Sequence, residues 1–429
     1  MTELMVNPLF LFLAVWGSAT ALYLSGVYTR TFAMPLPLTL GIVLLNVWTF
    51  FLGYQTWTLF ANFRLRPAGI PLPSLRPLTP DRITRGLQFT LLMGIIVLLL
   101  VLHRVMVIAA QSDIGFLDLL TQPEMLRARL VSFIGGNVYQ TSGMVMLISV
   151  AGSLFSIGFV LLGVFLYISN TAVKYFYLCA FLGLSLAIGL LNLSRYETVV
   201  NILFIVFAYC LSCSVARRRA PGRVLFDLLL PLAAAAVLFI GIEMLLRKGT
   251  AFGLTGRLHG FFYSLYWYAA SPLAAFNEWL SGFNGDYELG QNMFFPLYKW
   301  LCKFHLAPEP DISVYGEFVF IPYVANVYTY LRNFYEDFGI LGVAVAPYLL
   351  GWLTAAVRGP ARTGLHYLNL YVILLAFLLF SFYNYFMVSN QIYLQILFGF
   401  LFFRYDLTNA HESWPRAHAA AESALLHSR

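Results

Sequence analysis

Long apolar runs alternate with short polar connections along almost the whole chain. Runs of roughly 17–25 apolar residues read as membrane-crossing helices, and about ten occur. They lie near residues 8–26, 36–60, 87–109, 144–168, 175–193, 196–214, 225–246, 338–357, 367–387 and 390–404. The fifth and sixth are short and join tightly around Ser194-Arg195. The pattern predicts an all-α, polytopic integral membrane protein, with one membrane domain over 1–429 and a polar tail over 406–429.

Two polar segments, 110–143 and 247–337, break the rhythm. In the first, apolar residues from Phe116 to Phe133 recur at helical spacing, which predicts an amphipathic helix lying on the bilayer. The second is the largest non-membrane element. Its aromatic block from Gly260 to Tyr268 suits a membrane interface, and Pro272 is expected to bend or end that helix. Asn284 to Gly290 is turn-rich, 291–304 reads as a second short amphipathic helix, and 314–324 as a short extended piece. The Pro/Arg-rich stretch 66–82 reads as a linker.

Composition agrees: 60% of residues are apolar and only 10% charged, against about 25% charged in a soluble domain. The first span lacks the basic flank and small-residue site of a cleavable signal peptide, so it is expected to remain. The net charge of +7 matters through its distribution. Arg64, Arg66, Arg76, Arg82 and Arg85 share one connection, Arg217, Arg218, Arg219 and Arg223 another, and Arg358 and Arg362 a third. Ten spans put all three on one side with both termini, and Lys/Arg-rich connections face the cytoplasm. The basic surplus is therefore topological and does not point to nucleic acid. Segments 110–143 and 247–337 and the turn at Arg195 then face outward, which in a bacterial inner membrane is the periplasm. Only Cys302 of four cysteines lies there, so no intramolecular disulfide framework is available. Cys210 and Cys213 form a C-x-x-C inside a span, where core packing is the expected role.

Candidate chemistry gathers where the second polar segment meets a span: Asn326-Val-Tyr-Thr-Tyr-Leu-Arg332-Asn-Phe-Tyr-Glu336-Asp337-Phe-Gly339-Ile-Leu-Gly342. Ionisable residues at membrane depth are costly and mark function by default. On a helix Tyr328, Arg332 and Glu336 share one face, with Tyr335 adjacent. Arg332 pairs with Glu336 in the structural reading. In the functional one it binds an anionic leaving group, while Glu336 or Asp337 takes a proton from an attacking hydroxyl. Arg195 and Arg257 also fall near the outer surface, and several guanidiniums together suit a diphosphate. Glu197 is the structural alternative partner for Arg195. His259, two residues from Arg257, is a further candidate base or orienting group. Asp286-x-Glu288 is a weak metal-type pair, and no metal or other cofactor is expected. No Walker A, dinucleotide, H-E-x-x-H or G-x-S-x-G motif occurs.

The 326–342 block resembles the oligosaccharide repeat-unit polymerases of the Wzy type, which build O-antigen and capsule-like glycans. Three further patches are similar: Gly256-Arg257 with the aromatic run and Ser271 to Phe276, Gly290 to Tyr298, and the Arg195 turn. The resemblance implies a metal-independent GT-C-type glycosyltransferase of the bacterial inner membrane. It would transfer a glycan in one block from undecaprenyl diphosphate to a lipid-linked acceptor unit, with inversion. Arg195, Arg257 and Arg332 would serve the donor, together with membrane lipid and a chain-length regulator as partners. Three alternatives stand beside it. An O-antigen ligase shares donor and topology. A lipid-linked oligosaccharide flippase would spread polar residues through the spans. A lipid-monophosphosugar transferase would use Asp113 or Asp118.

Overall fold

In the computed structural model the described residues are 2–63, 76–111, 142–169, 171–192, 196–216, 229, 233, 257–307, 318–325, 327–383 and 389–407. The helices are α1 Thr2–Met5, α2 Pro8–Tyr28, α3 Pro37–Phe63, α4 Pro80–Gln111, α5 Ser142–Ile168, α6 Val173–Leu191 and α7 Tyr196–Ala216. There follow α8 Arg257–Gly282, α9 Phe295–Lys303, α10 Tyr330–Arg358, α11 Leu365–Phe380 and α12 Asn390–Phe402. Among the described residues there are two small ladders: β1 Arg76–Pro77 pairs in parallel with β4 Tyr405–Asp406, and β2 Val319–Ile321 pairs antiparallel with β3 Tyr323–Ala325.

Among the described residues seven helices are long and apolar enough to cross a membrane: α2 to α7, and α10 extended to Arg362. This makes the chain an all-α, multi-pass membrane protein. Two more of the expected spans appear as shorter apolar helices, α11 and α12. At 1.5 Å per residue they reach only about 24 and 20 Å, short of the roughly 30 Å hydrocarbon core. The expected span at 225–246 lies outside the described residues apart from Leu229 and Ala233, as do the amphipathic helix of 110–143, most of the 66–82 linker, the Arg195 turn and most of the tail. Pro272 does not end its helix; α8 continues through it to Gly282. The extended piece is a hairpin, β2–β3, and the short amphipathic helix is α9.

Leucine and aromatic side chains such as Leu44, Trp48, Leu92, Leu99 and Leu341 point outward from the helices, as hydrocarbon-facing positions do. Inside, small and polar residues bring helices together, the usual device where lipid tails compete equally for apolar surface. A Cβ on Gly53 would sit 1.9 Å from the Tyr348 carbonyl oxygen, and one on Gly351 would sit 2.2 Å from that of Phe50. Helices α3 and α10 thus touch backbone to backbone. Asn369 and Gln395 staple α11 to α12, the Asn369 amide donating to the Gln395 carbonyl and the Gln395 amide to Asn369 Oδ1, each at 3.1 Å. Cys210 and Cys213 are buried in α7, and neither is in a disulfide.

Contacts between distant segments sort the connections onto two ends of the bundle. At one end β1 meets β4, Leu407 N donates to the Thr363 carbonyl, Arg358 reaches Tyr54 Oη, and Tyr371 Oη donates to the Val6 carbonyl. Arg76, Arg82, Arg85, Arg358 and Arg362 and the N-terminal helix gather there. At the other end Asn277 of α8 holds the turn between α2 and α3. Its Oδ1 accepts from Leu36 N at 2.8 Å and Thr39 Oγ1 at 2.7 Å, and its Nδ2 donates to the Met34 carbonyl. Tyr196 packs on Phe380, Tyr268 on Tyr383 and Trp267 on Phe32. The polar elements α8, α9 and β2–β3 belong to this second end.

Candidate active site

The segment with Arg332, Glu336 and Asp337 is a helix set apart from the span that follows. Gly339 (φ 60°, ψ −144°) breaks α10 after Phe338, a backbone state that a side chain would strain. Beyond the break the chain doubles back: a Cβ on Gly342 would lie 2.2 Å from the Phe334 carbonyl oxygen, two positions equally spaced about Phe338. The result is a helical hairpin. Its first arm starts deep, because Tyr330 Oη donates to Asn46, nine residues into α3 and about 14 Å along that helix from its start. Tyr330 N also donates to the Ser381 carbonyl, and Trp16 Nε1 donates to Ser381 Oγ, both inside the bundle. The second arm runs from the break to Arg358, about 28 Å.

Arg332 therefore lies near the bottom of a short re-entrant arm, 7% exposed. Its guanidinium is stacked between two rings, 4.3 Å from the Tyr328 centroid and 5.0 Å from that of Trp279. Desolvated contacts of this kind stabilise by about 2 kcal/mol or more. One turn on, Glu336 Oε1 accepts from Arg332 Nη2 at 3.3 Å. Tyr335 packs edge-on against Trp279 and Phe283, at 6.3 and 5.6 Å. The aromatic surround fixes where the positive charge can be.

Beside Glu336 opens a cleft of about 540 Å³, between the end of α8, the 283–288 turn and the β2–β3 hairpin. Four carboxylates line it: Glu278, Asp286, Glu288 and Glu336, with Trp279, Phe283 and Phe320 as aromatic walls. Glu336 is the one that also touches Arg332. The cleft is thus acidic and aromatic, and the buried Arg332 guanidinium reaches it through Glu336 and Trp279. Among the described residues no group of three or more His, Cys, Asp or Glu side chains is placed to hold a metal ion.

Asp337 faces the other way. Its Oδ1 accepts from Asn292 N at 3.0 Å and Asn292 Nδ2 at 3.2 Å, and its Oδ2 accepts from Met293 N at 2.7 Å. It is wholly buried and ties the 290–293 turn to the re-entrant arm. Glu288 N adds a bond to the Glu336 carbonyl at 3.0 Å, satisfying one of the acceptors exposed by the break.

Of the residues singled out from the sequence, the structure brings together Tyr328, Arg332, Tyr335 and Glu336. Arg257 and His259 lie in the first turn of α8, where only the backbone is described, and Arg195 is outside the described residues. Glu197, considered as a partner for Arg195, lies in the field of Arg104, whose guanidinium also donates to Asn192. Sequence reasoning missed Glu278, Trp279, Phe283 and the clamping role of Asn292. A Glu-Trp pair ending an aromatic, amphipathic helix was the signal available for the first two. No protein-family model, curated protein or solved structure matches the chain. The fold and the site define its class as a multi-pass membrane protein with a polar re-entrant hairpin.

Proposed function

We propose that this protein polymerises undecaprenyl-diphosphate-linked oligosaccharide repeat units, with the cleft on the periplasmic side of a bacterial inner membrane and both termini in the cytoplasm. The observation that carries the reading is the stacking of Arg332 between Tyr328 and Trp279, with Glu336 bridging that guanidinium to the cleft. The resemblance of the 326–342 block to Wzy-type polymerases names the substrate. The separation of basic from acidic ends supports the sidedness.

The geometry suits a donor whose three parts differ chemically. The prenyl chain stays in lipid, the diphosphate meets the buried guanidinium, and the sugars occupy the cleft. Carboxylates accept hydrogen bonds from sugar hydroxyls, and aromatic walls cover sugar faces. A diphosphate leaving group needs charge stabilisation more than a proton, and a fixed guanidinium supplies it without reorganisation. As phosphate oxygens take over Arg332, Glu336 is released from its ion pair. Its carboxylate then accepts the proton of the acceptor hydroxyl as that oxygen attacks the anomeric carbon. The new glycosidic bond forms as the sugar–diphosphate bond breaks, with inversion, and undecaprenyl diphosphate departs with the bonding pair. Asp337 holds the 290–293 turn in place, and Glu336 is the assigned base.

The test is the surface-glycan ladder of the native host after deletion of the gene and complementation. Single repeat units still attached, without the long ladder, identify a polymerase. Polymer stranded on the lipid identifies a ligase, and an unchanged ladder rejects both. Glu336→Gln, at normal protein level, is expected to lower polymerisation by about 10²-fold or more, the usual contribution of a positioned base; full activity would remove Glu336 from the mechanism.

A further inference from the structure

At the opposite, basic end a second cavity of about 720 Å³ lies between α4, α5 and α12. Its walls are apolar, including Phe89, Leu154, Phe398 and Phe402, and Arg82 and Arg85 stand at its polar end. We propose that this cavity is a binding site for an anionic phospholipid of the leaflet at the basic end, with the lipid phosphate on Arg82 and Arg85 and one acyl chain along the groove. It is independent of the chemistry assigned to the cleft.

Length is the first argument. Along α5 the lining runs from Leu161 to Val150, about 16 Å at 1.5 Å per residue. That is the depth of one leaflet, half of a hydrocarbon core of about 30 Å. Direction is the second. Gly86 of α4 meets Leu161, so the arginines stand over the Leu161 end, and Val150 marks the end within the bilayer. A phospholipid has this polarity, with charge at the surface and hydrocarbon beneath.

Charge is the third argument. Arg82 Nη1 donates to the Pro77 carbonyl at 2.7 Å, and its guanidinium lies 6.0 Å from the Tyr405 ring. Arg85 Nε donates to the Asp81 carbonyl at 3.3 Å. Each arginine is thereby aimed by a backbone acceptor. Among the described residues no carboxylate forms an ion pair with either. Two guanidiniums over a hydrocarbon-lined slot match a phosphodiester on an acyl chain, the known chemistry of basic pockets between membrane helices.

The experiment uses the full chain purified in neutral detergent, with native mass spectrometry and thermal unfolding as readouts. The probes are phosphatidylglycerol, phosphatidylcholine, inorganic phosphate and undecaprenyl phosphate. Phosphatidylglycerol is expected to bind and raise the unfolding midpoint, at least tenfold more tightly than phosphatidylcholine. Arg82→Gln/Arg85→Gln is expected to lose that preference. Val150→Trp, which blocks the deep end and leaves the charge, is expected to weaken phosphatidylglycerol tenfold, and gives a second route if the double variant does not fold. Equal binding of the two phospholipids, or wild-type preference in the double variant, overturns the headgroup assignment. Inorganic phosphate competing as well as phosphatidylglycerol overturns the acyl assignment, and tenfold tighter undecaprenyl phosphate overturns the choice of lipid.

Discussion

Asp337 offers the sharpest separation of scaffold from chemistry. Its carboxylate is wholly buried and accepts from two backbone amides and one side-chain amide, Asn292 N, Met293 N and Asn292 Nδ2. Truncation in Asp337→Ala strands these donors, and each buried donor left unsatisfied costs about 1–3 kcal/mol. Partial relaxation brings the sum to about 3–6 kcal/mol, a large share of the roughly 5–15 kcal/mol that holds a folded domain. Asp337→Asn keeps one acceptor oxygen but turns an NH₂ group toward a backbone N–H, so about 2–3 kcal/mol is expected. The assay is thermal unfolding in detergent, with protease accessibility of 284–293 and the glycan ladder measured on the same preparations. The expected outcome for Asp337→Asn is a lower unfolding midpoint, a turn more readily cleaved, and a shortened but present ladder. A variant with the wild-type midpoint, a protected turn and no ladder would refute the reasoning, because Asp337 would then be serving the reaction directly.

Two other predictions follow from the same hairpin. Gly339→Ala forces a side chain into φ 60° and sets its Cβ 3.0–3.2 Å from the Tyr287 ring and hydroxyl; strain of about 1–2 kcal/mol should open the hairpin. The variant should reach the membrane yet lose most of the proposed polymerisation activity, and a wild-type glycan ladder would show that the break is dispensable. Arg332→Lys keeps the charge but replaces a planar, stacked group with a compact ammonium; turnover should fall at least about tenfold at normal expression, whereas a fully active lysine variant would show that charge alone suffices.

The apolar runs alone identify a multi-pass helical membrane protein and locate most of its described helices. A lipid-facing stretch must be apolar for as long as it is buried in hydrocarbon, so the length of each run reports its structure directly. Candidate chemistry was legible for the same reason: Arg332 and Glu336 stand out where charge is expensive, and helical spacing placed them one turn apart. Tertiary structure alone decided which acid faces the cleft. Glu336 and Asp337 are neighbours in sequence, but successive residues point about 100° apart around a helix. One therefore meets Arg332 and the other meets Asn292. Nor could spacing reveal that Trp279, far away in the chain, closes over Arg332, or that α4, α5 and α12 leave a groove beneath two arginines. Those facts depend on how helices cross. That is set by glycines such as Gly53 and Gly351 and by buried polar staples such as Asn369–Gln395, whose partners no local pattern names.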